Sequence, residues 1–220
     1  MTVSELIEKA AVKAGLAEPG AVPALLASMG LSDFNRWYRY VWQRYPHRDL
    51  RLADVTLAVP VGDGIVALPT AVGGIRVVRD GHGALLPLGD ATAADFADVF
   101  LGTTGIPNRY VTLPDGVDAD TKPVRRIQLV PVPASAMSIT VNGLRRYAAL
   151  AAGDTILLSR CEDALFYYVL AEFFQFAGDA AGRKDALADA ETHLANALTF
   201  EENAAENDTV NVPTESFYSR

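Results

Sequence analysis

Hydrophobic and polar positions follow three successive patterns along the chain. Residues 1–49 carry apolar residues at helical spacing, residues 50–147 alternate apolar and polar positions in short runs, and residues 148–205 return to helical spacing. Residues 206–220 are polar with Pro213 in their middle, which predicts an extended tail. This order predicts an α+β fold, in which N-terminal helices and a C-terminal helical hairpin pack with a central, mostly antiparallel sheet as one compact unit.

Two helices are predicted in the first segment. The run TVSELIEKAAVKAGL offers Thr2 or Ser4 as an N-cap and ends at Gly15. After a linker and the run ALLASMG, a second predicted helix has Ser32 as its cap. Asp33 would then occupy the first turn, at the positive end of the helix dipole.

The second helix lies in FNRWYRYVWQRYPHRDLRL, the stretch richest in aromatic residues and arginine, and is predicted to end at Pro46. At about 100° per residue, the large apolar side chains share one face and the arginines lie opposite. Nucleic-acid stacking requires aromatic and basic groups on the same accessible face, so this segregation favours a core helix. The predicted buried face comprises Phe34, Trp37, Tyr38, Val41, Trp42 and Tyr45. The basic face comprises Arg36, Arg39 and Arg44, and is either a subunit contact, the wall of a DNA passage or a solvated surface.

The middle segment predicts the sheet. Three Asp-Gly pairs, at 63–64, 80–81 and 115–116, separate apolar runs and predict tight hairpin turns. The run TAADFADVF interrupts the strands and predicts a short helix near 92–100. Arg125 and Arg126 in this segment are further candidates for a subunit interface or a channel wall.

The last helical segment predicts a hairpin. CEDALFYYVLAEFFQFAG is apolar almost all round, which indicates a buried helix. Gly178 is the predicted left-handed terminator and Asp179 the predicted cap of the next helix. That next helix has one apolar stripe and an acidic outer side. The core candidates in the hairpin are Leu165, Phe173, Leu187 and Leu194.

Charge is unevenly distributed. The net charge is −8, and residues 161–220 hold three basic residues against twelve acidic ones. An acidic protein is a poor nucleic-acid binder because phosphate attraction requires a basic surface. Such asymmetry instead suits subunits that dock basic surfaces against acidic ones.

Catalytic and metal-binding patterns are missing from the sequence. His47, His82 and His193 are scattered, and the single cysteine, Cys161, opens a buried helix without a nearby histidine. We therefore predict no enzyme activity, metal or cofactor. Acidic residues in the first ten positions and the lack of an uncharged apolar run of about 20 residues predict neither export nor a membrane span.

Several segments, taken in order, resemble the head-to-tail adaptor proteins of tailed bacteriophages, including the tail tubular protein A type and the connector subunits that dock under a portal ring. The most telling are the aromatic–arginine helix ending in Tyr-Pro before the strands, GIPNRYVTL, RRIQLVPVPASAMSITVNGLRRYAAL, and the late run FQFAGDAAGRKDALADAETHL. Together the similar segments cover most of residues 34–198. The first thirty residues, with their additional helix, depart from this pattern.

The resemblance implies a structural protein of the virion at the head–tail junction, assembled in the host cytoplasm. Members form rings, commonly of twelve subunits, that extend the DNA channel below the portal and offer a platform to a tail, stopper or nozzle protein. DNA would pass without sequence-specific binding. The C-terminal segment would clasp the portal, and the docking candidates are Val210, Val212, Pro213, Phe217, Tyr218 and Arg220. A terminal segment without a partner is the alternative for these residues.

Two other functions stay open at this stage. A tail-terminator or tail-completion protein would also form a ring, but further from the portal. An enzyme or ligand-binding protein without a recognisable motif would form no ring. Assembly state and portal binding separate these possibilities.

Overall fold

The computed structural model describes residues 1–44, 48–87 and 103–210, and only the backbone of Arg48, Leu86 and residues 201–210. Helices flank a group of mostly antiparallel strands in the order that the sequence predicts, which confirms the α+β class. The predicted helix near 92–100 lies outside the described residues. No helix in the described part of the chain is long and apolar enough to cross a membrane.

The chain divides into two compact units. The helical unit comprises Met1–Asp49 and Ala148–Arg220, and the strand unit comprises Leu50–Tyr147. The helical unit contains α1 (Val3–Lys13), α2 (Ala24–Arg44), α3 (Glu162–Ala177) and α4 (Ala180–Val210), with a 3₁₀ turn at Ser159–Cys161. A second 3₁₀ turn, Arg48–Leu50, lies at the boundary between the units in sequence.

The helical unit is built around α3, which packs against the other three helices. The apolar character of α3 on nearly all sides matches this central position. Gly178 has φ 78° and ends α3, and the Asp179 carboxylate accepts a hydrogen bond of 2.8 Å from the Gly182 N–H at the start of α4. Both predicted turn residues are thus confirmed. α4 continues to Val210, so residues 206–210 are helical where the sequence predicted an extended tail.

α1 begins with a reciprocal cap. The Thr2 hydroxyl accepts from the Glu5 N–H at 3.3 Å, and the Glu5 carboxylate accepts from the Thr2 N–H at 2.8 Å. This is the pairing expected when Thr at the N-cap is followed by Glu three residues later. These hydrogen bonds lower the pKa of Glu5. The ionised carboxylate therefore stabilises the fold, and that stability is lost as the pH falls through the lowered pKa.

Replacing the capping threonine tests this arrangement. We expect Thr2→Ala to lower the free energy of unfolding by about 1 kcal/mol, because the Glu5 N–H loses its acceptor. Thr192→Ala is the matched control, since that hydroxyl bonds a carbonyl within α4 that the helix already uses. Urea unfolding monitored by circular dichroism gives both values. Equal values for the two variants would contradict a capping role.

The start of α2 differs from the prediction. The helix begins at Ala24, so Ser32 is not its cap and Asp33 lies in its middle. Gly30, which precedes the predicted cap, is buried within the helix. A Cβ atom there would lie 2.7 Å from Ile7 Cγ2 and 2.9 Å from Phe173 Cζ. Gly30 is therefore a close-packing position where α1 and α3 approach α2, rather than a helix terminator.

The described part of the strand unit contains β1 (Val55–Val59), β2 (Ile65–Ala67), β3 (Val72–Asp80), β4 (Gly83–Pro87), β5 (Thr104–Gly105), β6 (Arg109–Val117), β7 (Pro123–Val130), β8 (Val132–Pro133) and β9 (Met137–Arg145). Seven of these strands form one sheet in the order β1-β9-β3-β4-β6-β7-β2. All neighbouring strands in it are antiparallel except β4 and β6. A short parallel pair, β5 and β8, forms a second sheet. Buried aliphatic residues from β1, β2, β3, β4, β7 and β9, with Tyr110 from β6, form the core of the strand unit.

One of the three predicted Asp-Gly hairpins is confirmed. β3 and β4 form a hairpin in which the Asp80 carboxylate accepts from the His82 and Gly83 N–H groups, each at 2.8 Å. The prediction at 63–64 is wrong, because the strands on either side, β1 and β2, pair with β9 and β7 instead.

The prediction at 115–116 is also wrong. Both residues lie within β6, and the β6–β7 turn follows at Asp118, whose carboxylate accepts from the Asp120 and Lys122 N–H groups. A Cβ atom on Gly116 would lie 2.9 Å from Arg126 Nε. This glycine thus makes room for a side chain of β7 rather than forming a turn.

Candidate interaction surfaces

The aromatic face of α2 is largely buried, as predicted. Phe34, Tyr38 and Val41 are fully buried, and Trp37 and Trp42 are half-buried. Trp37 stacks on Tyr168 of α3, with ring centroids 4.1 Å apart and an angle of 7° between the planes. Among the other predicted core residues, Leu165, Phe173 and Leu194 are buried, Leu187 is half-buried, and Tyr45 lies outside the described residues.

The arginine face of α2 is exposed, but two of its members bind within the helical unit. Arg36 forms ion pairs with Glu172 at 2.8 Å and with Asp33 at 3.3 Å. Arg44 donates to the Tyr40 hydroxyl and lies over that ring. Arg39 is exposed on the same face.

A polar network joins α2, α3 and α4 beside this face. The Tyr168 hydroxyl donates to Glu191 at 2.7 Å, and Trp37 Nε1 donates to Glu172 at 3.2 Å. Burial, and then the hydrogen bond to Glu191, raise the pKa of Tyr168. Tyr168 therefore remains a hydrogen-bond donor throughout the physiological pH range and fixes Glu191 against α3.

The ion pair with Arg36 does not offset the effect of burial on the pKa of Asp33. Burial is the largest effect and raises the pKa of Asp33, Arg36 lowers it, and Glu172 raises it further. Because the folded-state pKa exceeds the unfolded one, the protonated carboxyl favours folding below the unfolded pKa. That stability is lost as the pH rises through the folded pKa.

An asparagine at this position should therefore stabilise the helical unit near neutral pH. We expect Asp33→Asn to raise the free energy of unfolding at pH 7 by a few tenths to about 1 kcal/mol, and the gain to vanish near pH 3. Exposed Asp185→Asn is the control. Urea unfolding at the two pH values measures the difference, and a loss of stability at pH 7 would show that the Arg36 pair outweighs burial.

The arginine candidates of the strand unit donate hydrogen bonds to backbone carbonyl groups of the same unit. Arg125 donates to the Gly73 carbonyl at 2.9 Å and forms an ion pair with Asp115 at 3.3 Å. Arg126 donates twice to the Pro114 carbonyl, at 3.2 and 3.1 Å. Arg146, which sequence reasoning missed, also pairs with Asp115 at 3.2 Å and donates to two carbonyls before and within β3. Only the folded sheet brings these residues together, and no local pattern in the sequence marks them.

The predicted portal-docking residues fall at the C-terminal end. Val210 is the last residue of α4. The candidates Val212, Pro213, Phe217, Tyr218 and Arg220 lie outside the described residues.

Sequence reasoning also missed an exposed apolar surface on the strand unit. Val61, Ile65 and Ile106 are 62%, 47% and 68% exposed. We call these three side chains the apolar patch. Their runs are short and scattered in the sequence, so no periodic signal marks them.

The residues considered for chemistry occupy structural positions. Cys161 is buried. His193 is half-buried and stacks on Tyr167, with ring centroids 5.1 Å apart. His82 lies in the β3–β4 turn, and His47 is outside the described residues. In the described part of the chain, no group of three or more His, Cys, Asp or Glu side chains could hold a metal ion.

The chain matches a known protein family. The family model described as SU10 adaptor protein matches residues 1–214. The match includes the first helix, which departed from the pattern of the resemblance found in the sequence. No curated protein matches the chain.

Proposed function

Because this chain belongs to the SU10 adaptor family, a family of phage head-to-tail adaptors, we propose that it is a structural, non-enzymatic protein that links the portal to the tail. The observation that carries the proposal is the family match across nearly the whole chain, which includes both the helical and the strand units. The narrower resemblance to tail tubular protein A stays a prediction.

In the proposed assembly, about twelve copies form a ring beneath the portal, as the resemblance implies. The ring extends the DNA channel and gives a tail, stopper or nozzle protein its docking platform. Copies made in the host cytoplasm join the head–tail junction of the virion.

The charges support a channel that does not hold DNA tightly. The chain carries a net charge of −8, and strong phosphate binding would slow the passage of a duplex. Several arginine candidates are already neutralised, since Arg36 pairs with Asp33 and Glu172, and Arg125 pairs with Asp115. These arginines are proposed to support the subunit rather than to bind passing DNA.

The length of α4 supports portal binding through the C-terminal end. α3 has 16 residues and α4 has 31, so α4 is longer by about 22 Å at 1.5 Å per residue. Arg160, just before α3, lies over the ring of Phe200 at 4.0 Å, so residues 201–210 extend past the start of α3. We propose that this extension and residues 211–220 bind the portal, with Phe217 and Tyr218 as anchors.

The first experiment measures the mass of the purified protein, alone and mixed with its portal, by light scattering with negative-stain imaging. A ring of about twelve copies, alone or only on the portal, is the expected result. A chain shortened after residue 200 should lose only the helical signal of residues 201–210 from its circular dichroism spectrum, keep its thermal midpoint and lose portal binding. A stable monomer that ignores the portal would contradict the adaptor function.

A further inference from the structure

The apolar patch is held in place by backbone hydrogen bonds. Each of its side chains follows or precedes a glycine bonded to the segment 129–134. The Gly62 N–H donates to the Pro133 carbonyl at 3.0 Å. The Gly64 carbonyl accepts from Leu129 at 2.7 Å, and the Gly105 carbonyl accepts from Ala134 at 3.1 Å. Two separate stretches of chain, 61–65 and 105–106, therefore present their aliphatic side chains around one short segment, and binding would need little further ordering of the chain.

The described segments that carry the patch and hold it in place are almost free of charge. Residues 55–67, 103–108 and 127–141 contain one charged residue, Asp63, although 21% of the whole chain is charged. The Asp63 carboxylate accepts from the Ile65 N–H at 3.1 Å, so it is bound to the backbone. An exposed apolar cluster in an uncharged setting is typical of a protein–protein contact rather than of a solvated surface.

We propose that the apolar patch is the apolar centre of the contact between neighbouring copies of this chain. The inference rests on the proposed ring. Each copy carries a net charge of −8, so copies repel one another, and a contact between them is favoured where like charges are absent. Nucleic acid is a poor occupant because the patch offers no basic group to phosphate.

The sheet edge indicates how the copies meet. β2 is an edge strand of only three residues, and the N–H of Ile65 is already bonded to Asp63. A short, partly occupied edge is poorly suited to pairing with a strand of another chain. The neighbouring copy is therefore in contact with the side chains of the patch rather than with the edge of the sheet. Three side chains bury less than the roughly 800 Å² per partner that a stable interface buries, so they form the centre of a larger interface.

Charge substitution tests the proposal. Ile65→Glu and Ile106→Glu place a carboxylate in the patch, and Val117→Glu is the matched control. Val117 is 69% exposed on the same unit, at the far end of β6. Sedimentation across a concentration series, with portal present if the wild type needs it, should show assembly of the wild type and Val117→Glu at the same concentration. The two patch variants should need at least ten-fold more protein, and Ile65→Val should behave as the wild type.

The outcomes separate this proposal from the proposed function. Circular dichroism and the thermal midpoint establish that each variant is folded before its assembly is compared. If the wild type assembles and the patch variants assemble equally well, the patch proposal is overturned while the adaptor function stands. The same conclusion follows if the variants form rings but no longer bind the tail-side protein. A wild type that forms no ring, alone or with portal, overturns the proposed function itself.

Discussion

Gly73→Ala is expected to lower the stability of the strand unit by about 3 kcal/mol, which is the upper end of typical overpacking costs. A Cβ atom on Gly73 would lie 2.6 Å from Arg146 Cα and 3.0 Å from both the Arg145 carbonyl oxygen and the Arg146 nitrogen. All three are backbone atoms, so no side-chain rotation can relieve the contact. β3 must therefore move, and the hydrogen bonds that join it to β9 must weaken.

The location of Gly73 explains why the steric clash would also disturb neighbouring contacts. The pairing of β3 with β9 shifts between Val72 and Gly74, so Gly73 is an extra residue opposite the end of β9. Beside it, the Arg146 N–H donates to the Ala71 carbonyl at 2.7 Å. The Gly73 carbonyl itself accepts from Arg125. Displacing Arg146 therefore loosens the close approach of β3 and β9 and the arginine contacts that cross it.

The adjacent glycine gives the control. A Cβ atom on Gly74 would meet only the Leu144 side chain, at an ordinary 3.7 Å. Gly74→Ala should therefore be neutral or stabilise by up to about 1 kcal/mol, because alanine has less conformational freedom to lose. Hydrogen exchange in β3 and β9 measures the stability of the strand unit for both variants. Tryptophan fluorescence follows the helical unit separately, because both tryptophans lie in α2. Equal protection in the two variants would show that the approach at Gly73 is not tight.

The start of α1 and the junction between α3 and α4 could be predicted from the sequence because neighbouring residues determine them. The Thr2–Glu5 box and the Gly178–Asp179 junction each depend on residues within four positions of one another. The segregation of aromatic and arginine residues on α2 is likewise a property of one helix.

The roles of Gly30 and Gly116 could not be predicted, because distant residues decide them. Gly30 is the point where α1 and α3 approach α2, and Gly116 accommodates Arg126. The same limit applies to the candidate surfaces. The partner of Arg36, Glu172, lies 136 positions away, and the apolar patch joins two separate stretches of chain around a third. Helical or strand periodicity carries no information about such contacts.

Phe173→Ala should have the largest effect on the helical unit, a loss of about 4 kcal/mol in the free energy of unfolding. The ring is 1% exposed and fills the space beside Gly30, where α2 has no side chain. Its removal leaves a cavity between α2 and α3 that the helices cannot close without losing the stacking of Trp37 on Tyr168. Phe176→Ala, on the same helix but 52% exposed, should cost less than about 1 kcal/mol. Urea unfolding followed by tryptophan fluorescence measures both variants, and similar losses would contradict the assignment of Phe173 to the core.

A double-mutant cycle shows whether Gly30 and Phe173 depend on each other. Gly30→Ala alone should destabilise the helical unit, despite the better helix propensity of alanine, because its methyl group would lie 2.9 Å from Phe173 Cζ. In the Phe173→Ala background that contact no longer exists, and the added methyl occupies part of the cavity. The double variant should therefore be more stable than the sum of the single losses predicts, by at least about 1 kcal/mol. Simple additivity would mean that the clash with Ile7 Cγ2, at 2.7 Å, alone requires glycine at this position.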